Sequence, residues 1–120
     1  MGQSFYELEI WKEGFRLLQI TYKVTSKYPA EERYGLTDQT RRSSNSIIAN
    51  IAEAHGRFHF ADKIRVLYLA RGELSETRSH LRVALSLGYL DQRQFDELEA
   101  GYQGLERGLN AMIDALHKRR

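Results

Sequence analysis

The chain reads as an all-α protein, an antiparallel up-down-up-down four-helix bundle in which residues 1–120 form one domain. Three observations predict it. Apolar side chains recur at alternating three- and four-residue steps through four long stretches. The breaks between these stretches are short and carry turn residues such as Pro29, Gly35, Gly56 and Gly88. Proline occurs once, and the periodic segments run long, which favours helices over any sheet. A chain of 120 residues buries one core and is short for two.

The first helix is predicted over about residues 5–27, where Leu8, Trp11, Phe15, Leu18, Tyr22 and Thr25 form a bundle seam. A second stripe, Ile10, Gly14, Leu17, Thr21 and Val24, lies roughly 100° around the same helix. Two stripes fit either a helix buried on two sides, as in an oligomer, or one wide core-facing stripe. Tyr28-Pro29 ends the helix, because proline disfavours helical geometry in the residue before it. Thr37 or Asp38 is the natural N-cap of the second helix.

That second helix holds the most distinctive run of the chain, QTRRSSNSIIANIAEAHGR from Gln39 to Arg57. Ser43, Ser46, Ile47, Asn50, Ile51 and Ala54 share one face, and their small side chains let a neighbouring helix approach closely. Asn50 on that face calls for a hydrogen-bond partner, since an unpaired buried amide costs about 1–3 kcal/mol. The helix is predicted to end at His55-Gly56.

The third helix is predicted to begin just after Phe58-His59-Phe60, with Leu67, Ala70, Leu74, Thr77, Leu81 and Ala84 inward and Gly88 closing it. Asp91 is the predicted N-cap of the fourth, which carries Phe95, Leu98, Tyr102, Leu105, Leu109, Met112 and Leu116. Its glycines, Gly101, Gly104 and Gly108, each cost up to about 1 kcal/mol against alanine. They either permit close helix contact or mark the least stable helix. The predicted interior comprises Trp11, Phe15, Leu18, Ile47, Ile51, Leu67, Leu74, Leu81, Leu98, Leu105 and Leu109.

Composition excludes several functions. Cysteine is absent, which removes disulfides, thiolate zinc sites and cysteine nucleophiles. No apolar run approaches the ~20 residues of a membrane span, and no signal-peptide pattern opens the chain. No membrane partner is expected, and the cytoplasm is the expected compartment. His55 and His59 have metal-pair spacing, but Gly56 interrupts the helix and no third ligand follows, so no metal or cofactor is expected. Ser43, Ser44 and Ser46 lack a partner that would activate them, Gly72 follows no strand that would make a phosphate loop, and Glu53 and Glu76 sit amid arginines. No catalytic residues are identifiable, and an enzyme is not expected.

The net charge of +2 is unevenly spread. Residues 33–82 carry +4, residues 91–114 carry −4, and Lys118-Arg119-Arg120 adds +3. Thirteen arginines outnumber five lysines, which suits bidentate contacts to phosphate or carboxylate. One reading pairs the basic middle with the acidic last helix, within a chain or between copies. The other is a nucleic-acid surface, with Arg41, Arg42, Arg57, Lys63, Arg65, Arg71, Arg78 and Arg82 on phosphates and residues 118–120 as a mobile addition. Phe58 and Phe60 then stack on unpaired bases, or Phe60 plugs the bundle.

Four patches resemble a bacterial four-helix bundle family, the 23S rRNA intervening-sequence proteins, which includes relatives of the accessory variability determinant of diversity-generating retroelements. They are Phe5-x-x-Leu8-x-Ile10-Trp11, Tyr28-Pro29-x-x-Glu32-x-Tyr34-Gly35-Leu36-Thr37-x-Gln39-x-x-Arg42, Ser46-Ile47-x-x-Asn50-Ile51-Ala52-Glu53 with Arg57, and Leu67-x-x-Ala70-Arg71-Gly72-x-x-x-Glu76. Ala54, Val66 and Glu73 depart from the residues common in that family. The resemblance implies a ring-like homopentamer with a basic surface and, in retroelement systems, binding to a reverse transcriptase and RNA. The expected function is therefore a non-catalytic accessory protein that binds RNA or DNA; the alternative is a protein-interaction scaffold without nucleic-acid binding.

Overall fold

The computed structural model describes residues 2–119. Four α-helices, α1 (Glu9–Thr25), α2 (Leu36–Gly56), α3 (Phe60–Ser86) and α4 (Gln92–Arg119), account for most of them, with single 3₁₀ turns at Phe5–Glu7 and Ala30–Glu32. No strand occurs among the described residues. Each helix packs on its two neighbours in the cycle α1, α2, α3, α4. The paired residues run in opposite directions. Ser43 of α2 meets Thr77 of α3, Arg78 of α3 meets Glu99 of α4, and Thr21 of α1 meets Tyr102 of α4. The result is an antiparallel four-helix bundle measuring 46 × 23 × 21 Å.

The helix ends follow local chemistry. The first predicted helix is divided at Leu8, whose extended backbone separates the 3₁₀ turn from α1. The second begins at Leu36, ahead of the expected caps: the Glu32 carboxylate accepts the Leu36 amide at 3.0 Å, in the role predicted for Thr37 or Asp38. Gly88 adopts φ +76°, the left-handed conformation that ends α3. Asp91 caps α4 as predicted: its carboxylate accepts the Gln94 amide at 2.8 Å, and Gln94 Oε1 accepts the Asp91 amide at 2.9 Å.

The interior corrects the reading of α1. Of the residues predicted inside, Phe15 is 41% exposed, and Trp11 and Leu18 are only half-buried, Trp11 at the edge of the core; Tyr22, on the same stripe, is 45% exposed. The second stripe is the buried one, with Gly14, Leu17, Thr21 and Val24 all inside. Small-against-large pairing decides this. Gly14 leaves room for Ile48 and Leu105, Gly101 leaves room for Leu17, and Gly108 receives Ile10. Aromatic rings on that face would force the helices apart and forfeit the dense packing. The other predicted core residues, Ile47, Ile51, Leu67, Leu74, Leu81, Leu98, Leu105 and Leu109, are buried. Late in α4 the buried position shifts from Met112 to Ile113, because an α-helix drifts against a strict heptad.

Polar groups inside the bundle are nearly all paired. Ser43 Oγ lies 2.7 Å from Thr77 Oγ1, and Thr21 Oγ1 lies 2.8 Å from the Tyr102 hydroxyl. The Tyr28 hydroxyl alone is buried without a partner among the described residues. Asn50 makes no side-chain hydrogen bond among the described residues; it sits half-exposed on α2, so its amide is open to solvent and the expected interior partner is not needed.

Candidate nucleic-acid interface

The eight basic residues singled out in the sequence divide into two sets. Along the side of the bundle, Arg78 donates through Nε and Nη2 to the two Glu99 oxygens, both at 2.9 Å, and through Nη1 to Glu106 at 3.2 Å. Arg82 adds a third contact to Glu99 at 3.1 Å and lies over the Phe95 ring. Hydrogen bonding to Arg78 is the main force holding the Glu99 carboxyl below its usual range, and the same bond raises Arg78. Arg71 donates to Asn110 Oδ1 at 2.7 Å and covers Tyr68. The basic middle of the sequence thus closes, in large part, on the acidic last helix.

Arg41 is also committed. It donates to Thr25 Oγ1 at 2.8 Å and to the Tyr22 carbonyl at 3.2 Å, with its guanidinium over the Tyr22 ring, tying α2 to α1. Arg42 points outward, 79% exposed, with Asp38 no closer than 3.8 Å.

The second set gathers at one end of the bundle, where α2 ends, α3 begins and α4 ends. Arg57 forms an ion pair with Glu53, which raises its pKa. Lys63 donates to the Ala54 and His55 carbonyls at 3.3 and 2.9 Å, completing the C-terminus of α2. Arg65 is exposed and makes no ion pair among the described residues. Phe58, 87% exposed, projects beside them and meets the His59 ring edge-on at 5.0 Å. Arg119 arrives from α4 and lies over the Phe60 ring at 5.1 Å, so the C-terminal basic run joins a group some sixty positions earlier in the chain. Arg120 lies outside the described residues.

Phe60 itself lines an apolar cavity with Leu8, Ile51, Leu67 and Leu116, so it plugs the bundle, and Phe58 is the free ring. What sequence spacing missed is the meeting of Phe60 and Lys63 with Arg119 around one cavity. Only the up-down topology brings them together.

No three His, Cys, Asp or Glu side chains gather in a metal-binding group among the described residues. His55 Nε2 is engaged at 2.7 Å with the Gln3 carbonyl, and Ser43 and Ser44 are committed to Thr77 and to the Arg41 carbonyl. No described helix is long and apolar enough to cross a membrane.

These features define a small antiparallel helical bundle with a basic, aromatic end. The chain belongs to the 23S rRNA-intervening sequence protein family, whose profile matches residues 6–111. It is similar in fold to a crystal structure of a protein of unknown function from the S23 ribosomal protein family of Bacteroides thetaiotaomicron VPI-5482. The two superpose with a TM-score of 0.81 at 23% identity, over 88% of this chain and 95% of that one. No curated protein matches the chain.

Proposed function

We propose that this chain is a non-catalytic, homo-oligomeric accessory protein that binds RNA or DNA without sequence preference through its basic end. The observation that carries the reading is that Arg57, Phe58, Arg65, Lys118 and Arg119, from three helix ends, all lie at one end of the bundle, where Arg119 reaches the Phe60 ring. Exposed cations there neutralise phosphates, and the free Phe58 ring stacks on an unpaired base. The family resemblance supplies the ring of five, the basic surface and, where the gene lies in a diversity-generating retroelement, a reverse transcriptase as client. Arg78 and Arg82, bonded to Glu99 and Glu106, hold α3 to α4 and stay out of the interface.

Salt dependence tests this. Each single-strand phosphate neutralised adds about 0.7 to the slope of log affinity against log salt. Four cations per protomer, Arg57 exchanging Glu53 for phosphate, therefore give a slope near −3, and roughly fiftyfold weaker binding between 50 and 200 mM salt. Titration with a labelled single-stranded RNA is expected to show this. Replacing Arg57, Arg65, Lys118 and Arg119 by alanine flattens the slope, whereas Arg82→Gln leaves it unchanged. Absence of binding at 50 mM salt overturns the reading and leaves the protein scaffold.

A further inference from the structure

Two helices of this bundle keep apolar faces that their own chain covers only in part: Trp11 packs against Phe5 and the core and Tyr22 lies under Arg41, but Phe15 stays 41% exposed. On α1 the face is the aromatic ridge Trp11, Phe15 and Tyr22, with Trp11 and Phe15 stacked at 5.0 Å and an interplanar angle of 14°. On α3 it is a shallower face bearing Leu69, 51% exposed, and Val83, 45% exposed, with Gly72 between them. The two helices are diagonal in the bundle, so these faces point in different directions.

Gly72 is the informative residue. It lies mid-way along the 27 residues of α3, where glycine weakens a helix relative to alanine. A Cβ there meets nothing within 4 Å, so the fold of one chain gives no reason for the missing side chain. Gly14, Gly101 and Gly108, by contrast, each receive a neighbouring side chain of the same protomer. A depression without an occupant on α3 and a ridge without a groove on α1 are complementary.

They also stand at the same height. Gly14 of α1 faces Ile48 of α2, and Ser43 of α2 bonds Thr77 of α3. Because α2 and α3 run antiparallel, the step from Ser43 to Ile48 matches the step from Thr77 to Gly72. Phe15 is therefore level with Gly72, and Trp11 with Leu69. Charges flanking the two faces oppose in part: Lys12, itself bonded to Glu9, and Lys23 border the ridge; Glu73 and Glu76, the latter bonded to His80, border Gly72, and Arg65 shares that face.

We infer that α1 of one copy docks on α3 of the next, with the Phe15 ring seated over Gly72, so that self-association is heterologous, the kind of contact from which the ring implied by the family resemblance is built. An isologous pair would place like against like, whereas a ridge-to-depression contact leaves one free face on each side until the ring closes. The inference rests on the homo-oligomeric part of the proposed function and adds to it which surfaces meet.

Complementary variants test it. Phe15→Glu spoils the ridge and keeps the depression; Leu69→Glu does the reverse. Both positions are exposed, and circular dichroism checks that each variant remains helical. By light scattering at micromolar concentration each variant alone is expected at the 14.0 kDa of one chain. An equimolar mixture is expected to give a heterodimer of twice that mass and nothing larger. Gly72→Gln supplies an independent reading: it should raise the melting temperature of the dilute protomer while weakening assembly at least about tenfold, a pair of effects no role within the protomer produces. A monomeric wild type overturns the self-association itself. An oligomeric wild type whose two variants fail to complement, or whose Leu69→Glu variant assembles normally, overturns the α1-to-α3 contact alone.

Discussion

Two buried tyrosine hydroxyls should respond to the same perturbation with opposite signs. Tyr102 is 1% exposed, and its hydroxyl lies 2.8 Å from Thr21 Oγ1, itself fully buried. Tyr102→Phe removes that bond and strands the threonine hydroxyl, a loss of about 1–2 kcal/mol. The Tyr28 hydroxyl is shielded from water and has no partner among the described residues. Tyr28→Phe deletes a desolvated group that gains nothing from folding, so it should stabilise by up to about 1–2 kcal/mol. The ring of Tyr28, tilted against Tyr89 at 5.4 Å, keeps its packing in either case. Separation of the two variants by about 2–4 kcal/mol corresponds to roughly 10 °C in melting temperature for a chain of this size. Urea and thermal unfolding at one fixed protein concentration measure it. A common direction and similar size for the two substitutions would refute the assignment of paired and orphaned hydroxyls.

Other consequences follow from the same contacts. Gly14→Ala and Gly101→Ala place a methyl group against Ile48 and Leu17; overpacking of about 1–3 kcal/mol outweighs the helix gain of about 1 kcal/mol, so both should unfold at lower urea. Gly104→Ala meets only the Arg107 guanidinium at 3.6 Å and should stabilise by about 0.5–1 kcal/mol on the same measurement. Glu99 is held below its usual carboxyl range by Arg78, so its contribution is present above the unfolded value of 4.5 and is lost as pH falls through the lower folded value. Stability of Glu99→Gln should accordingly fall less than wild type below pH 4.5, read by urea unfolding across an acid series. Burial pushes Tyr28 and Tyr102 up to about 12 from 10.0; both stabilise the neutral form, and stability should decline as pH rises from 10 towards 12.

Helices and their stops were legible because they rest on local chemistry. Pro29, Gly88 and the Asp91–Gln94 capping box act within a few residues of where they stand, and each acts as its type predicts. The α1 face was not legible, because a three-four alternation records that a stripe is apolar and leaves open what covers it. Trp11, Phe15, Leu18 and Tyr22 carry the same pattern as Leu98, Tyr102, Leu105 and Leu109, yet only the latter are buried within their own chain. What separates the two stripes of α1 is the size of residues on α2 and α4, notably Ile48 and Gly101, which no periodicity within α1 contains. The basic residues pose a similar problem. Arg65 and Arg78 look alike in sequence; Glu99 and Glu106 claim one of them because α4 folds back along α3, and none of these contacts reaches the other.

The two proposals bear on each other through symmetry. A ring built from one heterologous contact keeps every protomer in the same orientation along its axis, so all the basic ends lie on one face. A two-fold pair with its axis across the helices would send them to opposite ends and leave each to bind alone. With ends on one face, a single RNA strand that reaches two or more of them gains avidity of about 10²–10⁴ over one protomer. Phe15→Glu, which breaks the contact while leaving Arg57, Phe58, Arg65, Lys118 and Arg119 in place, should therefore lower RNA affinity by that factor. Its salt slope should fall to the value near −3 of a single protomer. The introduced carboxylate lies about 9 Å along the helix beyond the start of α1, a Debye length at physiological salt, so its direct repulsion is small. Filter binding with RNAs of increasing length separates the effects, since a strand too short to span two ends should bind the variant and wild type alike. Equal affinity and slope for the two proteins on long RNA would show that the basic ends act singly, whatever the ring.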